Sequence, residues 1–354
     1  MIIKYKKFFK NKKVLVTGNT GFKGAWLSAT LILFGAKVIG LSKNIPTTPS
    51  LFKILKLNKK MTTHFIDIQN IKKIRELIKK EKPDMIFHCA AQSLVLRSLK
   101  EPLETFKTNT IGSINLLEAV KNYKKNLAIV MVTSDKCYYP TTKGYYNESS
   151  ILGGIEPYGA SKAMAEIAIK SYFESYLIKN KNINIVTVRA GNVIGGGDWS
   201  ANRLLPDIFF NWELKKIINI RSPNANRPWQ HVLEPVASYI HIIQKIYKSK
   251  KYFSSYNIGP KGTNNLTVIK LLRLLNKNWK LEKIKFQVFE KKNTVEATNL
   301  NLNVAKIKRE LNWENKLNIK NTIKFICDWY NCYFTNKKNI ERITYKQIEK
   351  YFSL

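Results

Sequence analysis

Short apolar runs alternate with helical patterns along the first half of the chain, an order that predicts a parallel sheet covered on both faces. Val14-Leu15-Val16 reads as a first strand, followed by an apolar helix over about 24–34. A second strand reads over 37–41 and a third at His64-Phe65-Ile66. A charged helix over 71–80 leads into a fourth strand over 85–88. A helix containing Asn115 and Ala119 precedes a strand over 128–132, and a longer helix over about 160–179 precedes another over 185–188. Beyond residue 191 the pattern loosens into loops rich in Gly, Asn and Pro. A helix near 235–247 and a short strand over 256–259 then read as a return to the sheet.

Composition narrows the class. The 354 residues are 44% hydrophobic and 12% aromatic, which excludes a disordered chain and is enough for one large domain with a smaller lobe. No run of about twenty apolar residues occurs, so no membrane span is expected. Lysines interrupt the first ten residues too often for a signal-peptide core, and the cytoplasm is the expected location. Cys89, Cys137, Cys327 and Cys332 are too scattered for a disulfide framework, and none has a neighbouring His or Cys pair suited to zinc; no metal is expected. The net charge of +37 is spread over many Lys-rich segments and reads as solvated surface rather than a nucleic-acid footprint. Such a field would still attract an anionic substrate.

Chemistry enters directly after the first strand. Gly18, Gly21 and Gly24 have GxxGxxG spacing between a strand and an apolar helix, the context in which backbone N–H groups cradle a dinucleotide pyrophosphate. Thr20, Phe22 and Lys23 belong to the same loop. The fold class expected is therefore α/β, a Rossmann-type doubly wound parallel sheet with a smaller C-terminal substrate-binding lobe. The cofactor domain is expected over 10–190 plus about 230–260, and the lobe over 191–229 and 261–354. The acid usual after the second strand is absent; Ser42-Lys43-Asn44 stands there. Asn44 suits a ribose hydroxyl, whereas Lys43 suits a 2′-phosphate, so NAD and NADP both remain open at this point. Asp67 and Ile68 end the third strand where an adenine edge would lie, and Ala90, Ala91 and Gln92 are compact enough for close cofactor approach.

Tyr158 and Lys162 stand at i and i+4, on one helical face. A phenol titrates near about 10, too high for a base at neutral pH, unless adjacent positive charge lowers it. Such a pair alone usually marks a solvated face. Ser134, at the end of the preceding strand, adds a hydroxyl for a substrate oxygen and completes a Ser/Tyr/Lys set.

These residues, with the glycine loop and His88-Cys-Ala-Ala-Gln92, resemble the extended short-chain dehydrogenase/reductase family of NAD-dependent epimerases and dehydratases. The stretches 46–52, 133–138, 189–199 and 227–232 resemble its CDP-glucose 4,6-dehydratase branch, and the likeness runs from about Lys13 to at least Trp313. It implies NAD as cofactor, a nucleotide-sugar substrate such as CDP-glucose, and a homodimer or dimer of dimers. It implies Tyr158 as base at the sugar C4 hydroxyl, Asp135 as general acid at C6 and Lys136 as base at C5. Asn109 is implied among the cofactor contacts, and Asn192, Arg203, Arg227 and Glu296 among the substrate contacts. His231 is expected to be structural or to line the nucleotide pocket. Rival readings are a 4-epimerase, which would not need Asp135 and Lys136, and a nucleic-acid-binding Rossmann protein.

Overall fold

The computed structural model describes residues 2–141, 145–220, 222–249, 252–260, 265–288 and 301–354. Its centre is a seven-stranded sheet of β1 (Lys13–Thr17), β2 (Lys37–Ser42), β3 (Thr62–Phe65), β4 (Met85–His88), β5 (Leu127–Val132), β6 (Ile183–Ala190) and β7 (Phe253–Ile258). Every pairing is parallel, in the order β3-β2-β1-β4-β5-β6-β7. The order reverses between β1 and β4, and ligands of such sheets bind beyond the strand ends at that crevice.

Both faces are buried, which is why the inner strands read as continuous apolar runs. Along β5, Ala128, Val130 and Val132 join one apolar cluster while Leu127, Ile129 and Met131 join the other. The second face is covered by α3 (Ile71–Glu81), α4 (Gly112–Val120) and α5 (Pro157–Ser175) through residues such as Leu77, Leu116 and Phe173. The first face carries α2 (Phe22–Leu33) and α7 (Leu233–Ile246), and its cluster continues into α6 (Leu204–Glu213), α8 (Val268–Asn278) and α9 (Ile319–Thr335). The α1 helix (Ile2–Phe9) and α10 (Ile340–Ser353) meet on that face, where Phe352 packs edge-on against both Tyr5 and Phe34. The tail beyond residue 261 is thus divided. Its α8 and α9 surround an aromatic cluster in which Phe209 stacks on Tyr330, whereas α10 lies under α2.

The differences from the sequence reading that bear on the site are at α5 and at the third strand. The α5 helix starts at Pro157 rather than near 160, because proline suits its first turn and the Glu156 carboxylate caps the N–H groups of Tyr158 and Gly159. It ends at Ser175, before a separate 3-10 turn over Leu177–Lys179. The third strand is Thr62–Phe65, displaced toward its polar residues because it pairs on one edge only, with β2.

The loop following β6 is tied to the phosphate-side helix by one buried bond. Trp26 Nε1 donates to the Gly196 carbonyl at 2.9 Å. Replacing Trp26 by Phe removes that donor and strands a buried carbonyl. The expected loss is about 1–3 kcal/mol, read as a lower urea midpoint with an unchanged slope.

Candidate active site

The β1 loop closes on its neighbours more tightly than any side chain would permit. Gly18 has φ +72°, and a Cβ there would lie 2.7 Å from the Ala90 nitrogen; one on Gly24 would lie 2.1 Å from the Gly18 carbonyl oxygen. Gly21 caps α2 in an extended conformation without a side-chain hydrogen bond, leaving the first-turn N–H groups to face the crevice. Thr20 Oγ1 donates to the Asn44 carbonyl at 2.6 Å, so exposed Asn44 braces the loop through its backbone. Ser42 Oγ donates to Asn19 Oδ1 at 2.8 Å, a buried strut that went unnoticed in the sequence.

At the far end of the crevice, Lys43 Nζ meets Asp67 at 2.8 Å and Glu104 at 3.2 Å. The hydrogen bond to Asp67, then that to Glu104, raises its pKa. The ammonium left open in the sequence is therefore held between two carboxylates. Ile68 is buried against Gly112. Gln92 and Asn109 engage one another: the Gln92 N–H donates to Asn109 Oδ1, and Asn109 Nδ2 returns a bond to the Gln92 carbonyl. Gln92 Nε2 also donates to Thr105 and the Leu94 carbonyl. Their side chains shape the loop after β4, and the residues turned toward the crevice beside them are Ala90 and Ala91, both half-buried.

Ser134 leaves β5 and caps the 3-10 turn Asp135–Cys137. Its Oγ donates to Asp135 Oδ1 at 3.0 Å and accepts from the Lys136 N–H at 3.2 Å. Asp135 is 3% exposed, and its Oδ2 has no hydrogen-bond partner among the described residues. Burial raises its pKa, against the charges of Lys136, Lys23 and Arg227 and the Ser134 bond. A buried carboxyl held toward its neutral form is equipped to donate a proton.

Tyr158 lies in the first turn of α5, its N–H held by the Glu156 carboxylate and the Ser98 hydroxyl. Burial pushes its phenol up to about 12, and Ser134 is the main influence in the opposite direction. Lys162 Nζ donates to the Val132 carbonyl at 3.3 Å, and burial, then the Lys23 charge, lowers its own pKa to about 8. Lys23 reaches from the glycine loop into the same charge field, where Cys89, Arg203, Asp135 and Asp198 all act on it.

On the opposite wall, Arg203 precedes α6 and binds Asp198 at 3.2 Å and Ser93 Oγ at 3.0 Å. Arg227 is buried on a short strand, Asn226–Pro228, with its charge felt at Asp135. Asn192 lies in the loop after β6, its carbonyl accepting from the Gln230 N–H. Buried His231 accepts from the Leu233 N–H and lies edge-on to Trp26 and Phe325. Burial lowers its pKa to about 3, so it is a neutral structural residue. Glu296 lies outside the described residues. The site thus gathers Lys23, Ser134, Asp135, Tyr158, Lys162, Arg203 and Arg227 into one electrostatic neighbourhood.

Beneath it runs a network hidden in the sequence. Glu166, one turn beyond Lys162, pairs with Arg189 at 2.8 Å and accepts from Thr133 and Thr187. Arg189 donates onward to Tyr138 Oη, which donates to Asn257. This array ties the carboxyl ends of β5, β6 and β7 to α5, fixing the backbone that presents Ser134 opposite Tyr158.

Comparison with known proteins agrees with this architecture. The family model described as GDP-mannose 4,6 dehydratase matches residues 15–326. The chain belongs to that family. A CDP-glucose 4,6-dehydratase of Salmonella typhimurium is 38% identical over 331 residues, spanning 92% of each chain. A dTDP-glucose 4,6-dehydratase of Haemophilus influenzae is 25% identical, spanning 90% of this chain and 97% of that one. Among solved structures, the dTDP-glucose 4,6-dehydratase of Bacillus anthracis in complex with NAD has a TM-score of 0.76 at 22% identity, covering 94% of this chain and 99% of the other.

The buried ion pair makes a stability prediction. Glu166→Ala leaves the Arg189 charge buried and unpaired, and chemical denaturation should show a loss of about 3–5 kcal/mol. A variant within 1 kcal/mol of the parent would remove this network as the anchor of the site.

Proposed function

We propose that the chain dehydrates CDP-glucose to a CDP-4-keto-6-deoxyglucose with NAD as a resident cofactor. The observation carrying this reading is the buried Asp135 carboxyl, with an Oδ2 that has no hydrogen-bond partner among the described residues, beside Lys136 and within the electrostatic reach of Tyr158. A 4-epimerase needs the Tyr158 side of that arrangement alone. The Salmonella relative named above supports the choice of nucleotide and reaction.

The crevice fits a dinucleotide: the glycine loop admits backbone approach, and the uncapped start of α2 offers N–H groups and the positive helix end to a pyrophosphate. Lys43 is held by Asp67 and Glu104, so a 2′-phosphate would meet two carboxylates rather than a free ammonium; NAD is favoured over NADP. When bound, the nicotinamide takes a hydride from the sugar and later returns it. Gly18, Thr20, Gly21, Phe22, Lys23 and Gly24 would surround the phosphates, and Ala90, Ala91, Tyr158 and Lys162 the nicotinamide side.

Tyr158, as phenolate, takes the C4 hydroxyl proton as C4 is oxidised to a ketone, with Ser134 holding the same oxygen. The ketone acidifies the C5 hydrogen, which Lys136 removes. Asp135 gives its proton to the departing C6 hydroxyl, and water leaves with the C5–H bond pair forming the C5–C6 double bond. Reduction at C6 and proton return at C5 complete the product. Arg203, Arg227 and Asn192 surround the nucleotide phosphates, since guanidinium donors suit a diphosphate; Glu296 is proposed at the nucleotide ribose by resemblance.

A homodimer is proposed as well. Leu99, Leu103, Ile111, Met164 and Ile167 are 44% or more exposed on adjoining helices around α4 and α5, a concentration of apolar surface that a second copy would cover. Sedimentation of the purified chain should give a dimer, and substituting Leu103 and Ile167 by Glu should give a monomer.

Tyr158→Phe should lower oxidation by about 10²–10⁴, the range of a lost general base. Lys136→Ala should lower release of the 4-keto-6-deoxy product by a similar factor, while bound reduced nicotinamide still accumulates. Equal loss of both steps in Lys136→Ala would contradict its role at C5.

A further inference from the structure

At the amino ends of the strands, remote from the site above, the surface holds a cavity of about 760 Å³. Lys12 precedes β1, Asn126 precedes β5 and Lys181 precedes β6, so the cavity opens on the edge of the sheet opposite the catalytic crevice. Lys4, Lys7 and Lys248 complete a ring of five lysines, and no carboxylate lines it among the described residues. The apolar part is aromatic: Phe8 packs edge-on against Tyr247, and Lys12 Nζ lies 5.0 Å from the centre of the Tyr247 ring.

Five ammonium groups around an aromatic wall, with no carboxylate among the described lining residues, form a rim suited to phosphate oxygens.

We infer that this cavity is a second nucleotide site, taking a nucleoside di- or triphosphate. Its phosphates meet the ammonium groups of Lys4, Lys7, Lys181 and Lys248. Its base stacks on one of the Phe8 and Tyr247 rings, which stand at 83° to each other, and meets the other edge-on. The volume suits a single small molecule, within the range of about 300–1,000 Å³ usual for ligand pockets, rather than a polymer. Base-on-ring contact is tolerant of base identity, so the site recognises the class rather than one nucleotide.

The test uses the full chain and isothermal titration with ATP, in the presence of saturating NAD⁺ and CDP so that the catalytic crevice contributes no heat. One equivalent of ATP should bind. The double variant Lys7→Glu/Lys248→Glu, on two exposed side chains, should bind ATP at least tenfold more weakly while turning over CDP-glucose at the parent rate without ATP. Phe8→Ala should weaken ATP but leave inorganic triphosphate unchanged. Equal ATP affinity in the charge-reversed variant and the parent would overturn the site. Inorganic triphosphate binding as tightly as ATP would overturn its nucleoside specificity.

Discussion

The Ser134 hydroxyl is the point on which the site depends. It donates to Asp135, accepts from the Lys136 backbone and is the main influence lowering the Tyr158 phenol against burial, so the oxidising and eliminating groups meet around one side chain. Burial is chemically useful at Asp135, which it holds toward the neutral form that an acid needs. At Tyr158 the same burial opposes the phenolate, so oxidation relies on Ser134 and on the positive charge of bound NAD⁺ to offset it.

Holding that oxygen in place is the task of the framework below. The end of β5 is tied through Thr133 to Glu166, Glu166 to Arg189 on β6, and Arg189 through Tyr138 to Asn257 on β7. Burying two charges is costly and gains little as stability alone. Its value here is positional, since the pair lies between α5, which bears Tyr158 and Lys162, and the strand that bears Ser134. The glycine loop contributes the other fixed wall, with backbones of β1 and β4 loops approaching closer than any Cβ would allow.

Much of this was legible in the sequence. Apolar runs located the inner strands closely, because strands buried on both faces cannot hide their composition, while the edge strand β3, polar and partly exposed, was placed about two residues late. Glycine spacing after β1 and the Tyr158/Lys162 interval located two walls of the site, since both depend on short-range geometry. What stayed hidden is long-range. Glu166 and Arg189 are separated by 23 residues and look, in sequence, like ordinary charges on a helix and a strand. Lys43 left the cofactor open until Asp67 and Glu104 were seen closing on it. The α10 helix gave no sign that it would pack under α2, because amphipathic periodicity identifies a buried face without naming what covers it.

The most direct measurement of the central claim follows an atom. CDP-glucose carrying deuterium at C4 is incubated with the enzyme and NAD⁺, and the product is examined by NMR. Because one pocket is held to join oxidation at C4 to reduction at C6, the deuterium should appear at C6 of a 4-keto-6-deoxy sugar, with a solvent proton at C5. Deuterium returned to C4 of an intact, inverted hexose, or lost altogether, would contradict the account.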